Sequence, residues 1–202
     1  MKKVAVLISG RGSNLGALMA AQSSQNKPGD AYKIVLVISN IEGADGLKRA
    51  AEAGIATKTI PHHGKTREAF DAELDMALRA AGVDFVCLAG FMRILSDGFV
   101  RGWEGRLVNI HPSLLPAYRG TKVHERVIAA GESQSGASVH FVVPELDAGP
   151  VIAQGRVDVH PGDTPEKLAA RILAVEHQLY PAALRLLAED KVKLKKGLAI
   201  FS

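Results

Sequence analysis

Short apolar runs alternate with helical patterns along most of the chain. Lys3–Ile8, Lys33–Ile38, Phe85–Leu88 and Leu107–Ile110 read as strands, with Lys58–Ile60 a shorter one. Asn14–Ser24, Ala44–Ala53 and Thr66–Ala81 carry the helical spacing between them. The strand runs are continuous rather than alternating, so both of their faces are expected to be buried. That is the mark of a parallel sheet covered by helices on each side. From Ser138 the pattern changes. Ser138–Val143 and Val151–Val159 are strands with no helix between them, which predicts an antiparallel or mixed edge. Thr164-Pro165-Glu166 then opens a last helix, with Thr as cap and Pro at the first helical position. It is expected to pass Glu176-His177 and reach about Leu187, bent near Pro181. Val192–Phe201 reads as one more strand. The fold expected is α/β, a doubly wound, mostly parallel sheet with helices on both faces and an antiparallel or mixed C-terminal edge. A chain of 202 residues suits a single domain 1–202, with an N-terminal half of about 1–100 and a C-terminal half of about 101–202.

Composition narrows the classes. Hydrophobic residues at 47% and charged residues at 23% suit a globular chain and exclude a disordered one. Aromatics at 5% leave too few stacking platforms for single-stranded nucleic acid. The net charge of +4 is too diffuse to argue for DNA, yet it favours anionic small molecules. One cysteine, Cys87, excludes an intrachain disulfide and a cysteine-based zinc cage. The apolar run Val4–Ile8 stops at Ser9-Gly10-Arg11, short of an export signal or a membrane span, so no membrane association is expected and a cytoplasmic setting is.

Ser9-Gly10-Arg11-Gly12-Ser13-Asn14-Leu15 joins the first strand to the first helix. Glycines let backbone approach a ligand, and a helix N-terminus offers N–H groups and positive potential. The loop reads as an anion cradle, most naturally for phosphate; the other reading is a tight turn with Ser13 as helix cap. A dinucleotide loop would place a third glycine at Leu15 and an acid after the second strand, where Val37-Ile38-Ser39-Asn40 has none. A mononucleotide-sized or sugar phosphate fits better. Gly64-Lys65-Thr66 lacks the earlier glycine of a P-loop and reads as a loop with Thr66 capping a helix.

Asn109 and His111 stand at i and i+2 where a strand ends, so their side chains point the same way, roughly 6–7 Å apart. An amide can donate to an oxyanion and an imidazole can move a proton. Asp147, in the Gly/Pro-rich stretch Val143–Pro150, is the candidate carboxylate to set the imidazole's charge and tautomer. The plainer alternative makes His111 a structural residue and Asp147 a turn residue. Metal binding by His111, His124, His140 and Asp147 is a competing use that lacks any close ligand spacing.

Several motifs in order carry a resemblance across nearly the whole chain. They are Ser-Gly-x-Gly-Ser-Asn-Leu at 9–15, Leu-Ala-Gly-Phe-Met-Arg-Ile-Leu at 88–95, and Asn-Ile-His-Pro-Ser-Leu-Leu-Pro at 109–116. Ser-Val-His-Phe-Val at 138–142, Glu-Leu-Asp-x-Gly-Pro at 145–150 and Glu-His-x-x-Tyr-Pro at 176–181 complete the set. Together they resemble the folate-dependent phosphoribosylglycinamide formyltransferases of purine synthesis. The resemblance implies formyl transfer from 10-formyltetrahydrofolate, as co-substrate, to the amine of glycinamide ribonucleotide, with no metal. By position it implies that Gly12, Ser13 and Asn14 bind the substrate's phosphate and Glu176 contacts that substrate. Arg67, Met92, Arg93, Ile94 and Leu95 would bind the folate, with Asn109 beside it and Val143, Pro144, Glu145, Leu146 and Asp147 closing over its pterin. Asn109, His111 and Asp147 would be the catalytic set. The N-terminal half would then hold phosphate, and the C-terminal half folate and catalysis. The family often carries a further histidine just before His124, where this chain reads Thr121-Lys122.

Without the resemblance, Met92, Ile94 and Leu95 read as ordinary core, Arg67 as a solvated charge and Glu176-His177 as helix surface. Two related activities share part of the motif set. Methionyl-tRNA formyltransferases normally add a C-terminal RNA-binding domain, and formyltetrahydrofolate deformylases an N-terminal regulatory one; the chain's length argues against both. A non-catalytic phosphosugar-binding module using only the 9–15 loop is the rival from another class.

Overall fold

The structure, a computed structural model, describes residues 1–23 and 31–202, which form two compact units, Met1–Val108 and Asn109–Ser202.

In the first unit, β1 (Lys2–Ile8), β2 (Tyr32–Ser39), β3 (Ala56–Thr59) and β4 (Phe85–Leu88) lie parallel in the order β3-β2-β1-β4. β1 is an inner strand, and Val4 to Ile8 are completely buried, as a continuous apolar run requires. Ile8 pairs with Ser39, Ser39 with Thr59 and Leu7 with Leu88. By this register all four strands end at one level and their loops depart together. Ligands bind at this carboxyl edge in open α/β sheets. The helices are α1 (Ser13–Ser23), α2 (Asp45–Glu52), α3 (Arg67–Ala80) and α4 (Asp97–Gly102). α3 buries Phe70, Leu74, Ala77 and Leu78, the stripe that 3.6-residue spacing predicts. Thr66 caps it by accepting from Ala69 N–H, and Ser96 caps α4 through Phe99 N–H, each contributing about 1 kcal/mol. Trp103, the sole tryptophan, is 1% exposed just after α4. Its indole N–H donates to Asp75 Oδ1 at 2.8 Å, and the guanidinium groups of Arg79 and Arg106 lie 5.5 and 4.6 Å from its ring centre. Partial burial pushes the Asp75 carboxyl up, but hydrogen bonds from Arg79 and Trp103 outweigh it and hold the group below its ordinary value.

β5 (Leu107–His111) opens the second unit with its last three residues. After it come α5 (Val123–Ala129), β6 (Gln134–Phe141), β7 (Val151–Asp158) and α6 (Pro165–Ala188). β6 and β7 are antiparallel, Gln134 facing Asp158 and Val139 facing Ala153. Val123 and Val127 of α5, Ala137 and Val157 of the strands, and Leu168 and Ile172 of α6 form a core cluster. Thr164 caps α6 through Lys167 N–H, with Pro165 first in the helix. β8 (Val192–Lys195) and β9 (Leu198–Phe201) make a separate antiparallel pair. Among the described residues, seven of the nine strands belong to one mostly parallel sheet, the α/β arrangement expected. No helix among them is long and apolar enough to cross a membrane.

The differences from expectation have local causes. Position 24, the expected end of the first helix, lies outside the described residues. The strand expected at Lys58–Ile60 is Ala56–Thr59; Ile60 is buried but lies past the strand's end. That expected at Ser138–Val143 begins at Gln134 and ends at Phe141. Gly136 hides it from periodicity, because it faces the Gly155 carbonyl with no room for a side chain. The short helices α4 and α5 are additions to the expected set. α6 extends to Ala188, one residue past its expected end, with Pro181 inside it. Val192–Phe201 is a hairpin rather than one strand, because Lys196 and Gly197 take φ of 50° and 74°. Positive φ at both central residues gives the primed turn that a two-residue hairpin favours.

Candidate active site

In the first unit, the loop leaving β1 is held by close backbone packing. Gly12 has φ +66°, and a Cβ there would come within 2.9 Å of Gly46 Cα in α2. Gly46 in turn faces the Ile8 side chain and the Gly10 carbonyl, to which its N–H donates at 3.1 Å. Gly16 N–H donates to Gly12 O at 2.9 Å, so α1 begins at Ser13. The sequence motif thus places a glycine turn directly on a helix N-terminus, with Asn14 buried and Ser13 half-buried beside it. This arrangement suits an anion.

The segment after β4 is of another kind. Met92 is 78% exposed and Ile94 58%, which overturns their reading as core; Leu95 is buried at 7%. The Arg93 guanidinium stacks 4.6 Å from the Phe70 ring centre, and its buried Nε has no hydrogen-bond partner. Two apolar side chains are thus held out in solvent beside an anchored arginine. Arg67 is exposed at the first position of α3.

In the second unit, the structure brings Asn109, His111 and Asp147 into one network and adds His140. Asp147 Oδ2 lies 3.4 Å from His111 Nδ1, and its Oδ1 lies 3.6 Å from His140 Nε2. His111 Nε2–H donates to the Tyr118 carbonyl at 2.9 Å. His140 Nδ1–H donates to the Phe141 carbonyl at 2.8 Å, which leaves Nε2 to accept from the Asn109 amide at 3.2 Å. Burial pushes the His140 ring below the ordinary histidine value; the Phe141 carbonyl and Asp147 pull it up without prevailing, and His111 adds to the lowering. A neutral His140 is what the Asn109 contact requires. Asp147 reaches this position by adopting φ 49° in the loop after β6, where its Oδ2 also accepts from Gly120 N–H at 2.9 Å. Burial also lowers His124, helped by nearby His111. The ring nitrogens of His111 and His140 are all engaged by these groups, and no three His, Cys, Asp or Glu residues among the described residues are grouped to hold a metal.

Val143 is half-buried, Pro144, Glu145 and Leu146 are more open, and Glu145 pairs with Arg119 at 2.7 Å. Glu176, expected on the helix surface when the residues are taken alone, is buried within α6. Sequence reasoning missed two contributors. His140 stood as a candidate metal ligand and as part of the motif at 138–142, with no role beside Asn109. Ser138, two residues before it on β6, donates to Ser113 O at 2.6 Å and accepts from Leu115 N–H at 3.0 Å, clamping the loop that leaves His111. Polar residues at i and i+2 inside an apolar strand were the available signal, the same one that singled out Asn109 and His111.

The chain is also similar to known proteins over most of its length. The formyl transferase family profile matches residues 2–184. The phosphoribosylglycinamide formyltransferase of Escherichia coli is 45% identical over 97% of this chain and 92% of its own length. The trifunctional purine biosynthetic protein adenosine-3 of Bos taurus is 49% identical over 95% of this chain, which spans 19% of that protein. Among solved structures, a phosphoribosylglycinamide formyltransferase from Coxiella burnetii superposes with a TM-score of 0.93 at 43% identity, covering 99% of this chain and 93% of that one. With sequence match and superposition both extending over nearly the whole chain, it belongs to the formyl transferase family.

Proposed function

We propose that this chain transfers the formyl group of 10-formyltetrahydrofolate to the amine of glycinamide ribonucleotide, a step of purine biosynthesis. The observation that carries the reading is the network Asn109–His140–Asp147–His111, in which a half-buried amide meets two buried imidazoles and a carboxylate. The chain acts as one catalytic domain in which both units serve the same reaction, in the cytoplasm, on small molecules and without nucleic acid or membrane. Gly12, Ser13 and Asn14 take the phosphate of glycinamide ribonucleotide, and Glu176 contacts the same molecule. Arg67, Met92, Arg93, Ile94 and Leu95, with Asn109 and the loop Val143–Asp147, hold the folate. Both substrates are anionic, which suits a chain of net charge +4.

The substrate amine attacks the formyl carbon, and the carbonyl oxygen becomes an oxyanion. One N–H of the Asn109 amide is spent on His140, so the other is aimed by that contact and donates to the oxyanion. Asp147 Oδ2 faces Nδ1 of His111 at 3.4 Å and fixes the orientation of the ring. The Nε2 proton rests on the Tyr118 carbonyl, and the developing oxyanion or the departing folate nitrogen must displace that carbonyl to claim it. The attacking amine loses a proton and the folate nitrogen gains one, so the reaction is neutral overall. No metal enters this scheme, since the carrier already presents an activated formyl group.

The test is incubation of the purified chain with 10-formyltetrahydrofolate and one acceptor at a time. Tetrahydrofolate should appear in step with formylglycinamide ribonucleotide. Release with water alone, or formylation of methionyl-tRNA but not of glycinamide ribonucleotide, would overturn the assignment.

A further inference from the structure

We propose that Ser9 is a positioning residue through which the phosphate loop and the folate-binding segment 92–95 sense each other's occupancy. Ser9 follows directly on β1 and is the residue from which the loop Gly10–Asn14 departs. Its hydroxyl is used twice. It donates to Asn40 Oδ1 at 2.6 Å and accepts from Met92 N–H at 2.7 Å. Met92 is the first residue of the proposed folate segment, 83 positions away in sequence.

The remainder of the network makes this link stiff. Asn40 is 3% exposed at the end of β2. His62 Nδ1, just beyond β3, lies 3.1 Å from both the Asn40 Nδ2 and the Asn40 carbonyl oxygen, so it is bonded to Asn40 in either tautomer. The His62 and His63 rings lie with centres 4.2 Å apart, tilted by 33°. The strands ending at Ile8, Ser39, Thr59 and Leu88 therefore lead into loops joined by one chain of hydrogen bonds, Met92–Ser9–Asn40–His62. A hydroxyl with both its proton and a lone pair committed has no free rotor. A phosphate that orders the loop fixes the Ser9 Oγ, and so fixes the acceptor on which the Met92 backbone rests. Coupling between sites is reciprocal, so folate bound at 92–95 must tighten the loop for phosphate by the same factor. Neither the fold nor the chemistry at His111 requires this bond, because water could satisfy the exposed Met92 N–H equally well.

The inference rests on the substrates proposed for this chain, and the experiment separates the two. Formyl transfer by the unaltered chain is measured first. Tetrahydrofolate, which has no formyl group to give, is then titrated calorimetrically with and without saturating glycinamide ribonucleotide. The unaltered chain is expected to bind tetrahydrofolate more tightly when glycinamide ribonucleotide is present, by roughly threefold to tenfold, the worth of one neutral hydrogen bond. Ser9→Ala should bring that factor to about one and place most of its kinetic loss in the KM for 10-formyltetrahydrofolate rather than in kcat. Ser9→Thr, which keeps the hydroxyl, should restore the factor. An unaltered chain that transfers formyl but shows no coupling overturns the proposal and leaves the function standing. So does a Ser9→Ala chain, with an unchanged melting curve, that couples as strongly as the original. An unaltered chain that neither transfers formyl nor binds either ligand overturns both.

Discussion

The loop at Gly10–Asn14 and the network at Asn109–Asp147 meet opposite demands with opposite materials. The loop is built of backbone. Gly12 and the Gly10 carbonyl pack against Gly46, the loop's positive φ is at Gly12, and its polar groups are those of a helix start. The network is built of side chains, with His111 and His140 at 5% and 2% exposure and each bonded to a main-chain carbonyl. Holding an anion requires many weak dipoles in a fixed shape. Moving protons and charge requires a few groups whose tautomers are set. Damage should therefore look different in the two places: loss of affinity and stability at the loop, loss of turnover at the network.

The largest effects should fall on the network. Asn109→Ala removes the proposed oxyanion donor and should lower kcat by about 10²–10³. His111→Ala should lower it by roughly 10²–10⁴. Circular dichroism should remain native in both, and near-normal kcat in either would remove that residue from the chemistry. Next comes the loop. Gly46→Ala drives a methyl into the Ile8 side chain and toward Gly10 O, so urea unfolding should show a loss of about 1–3 kcal/mol. The KM for glycinamide ribonucleotide should rise with it, and a rise in the folate KM alone would break the contrast.

A subtler effect separates His140 from its neighbours. The unfolded chain protonates this histidine near the ordinary value of 6.5, and the native chain only at lower pH. Between those values the unfolded state binds more protons, so the His140 contribution is full above about pH 6.5 and is lost on acidification. Melting temperatures taken from about pH 8 down to about pH 5 should fall on the acid side, and less steeply in His140→Asn. An identical acid slope in the two proteins would show that His140 is not the group responsible. The smallest stability effect belongs to the exposed surface proposed to hold folate. Met92→Ser and Ile94→Ser should change stability by no more than about 0.5 kcal/mol while raising the KM for 10-formyltetrahydrofolate. A large loss of stability would mean that these side chains pack against something in the native chain.

Legibility from the residues divides along the same line. The inner strands were legible because burial on both faces forces continuous apolar runs, as at Val4–Ile8. Helix starts were legible because Thr66 and Thr164 cap through their own side chains. Gln134–Ala137 was not, because a strand crossing another backbone at Gly136 needs an absence of side chain, which carries no periodicity. The hairpin at Lys196-Gly197 was missed although a glycine inside a strand pattern is a turn signal. At the site, motif order named Asn109, His111 and Asp147. It could not show that His140 orients the amide or that Tyr118 holds the imidazole proton, because main-chain carbonyls are the same in every sequence.

Trp103 gives the two units separate voices. It is the sole indole in the chain, sealed from water and flanked by two guanidinium groups in the Met1–Val108 unit. Fluorescence excited at the indole band therefore reports the opening of that unit alone, while far-ultraviolet dichroism, fed by α6, weighs in the other. Coincident denaturation curves from the two signals would mean the halves melt as one cooperative body; a gap between them would measure how independently each half stands.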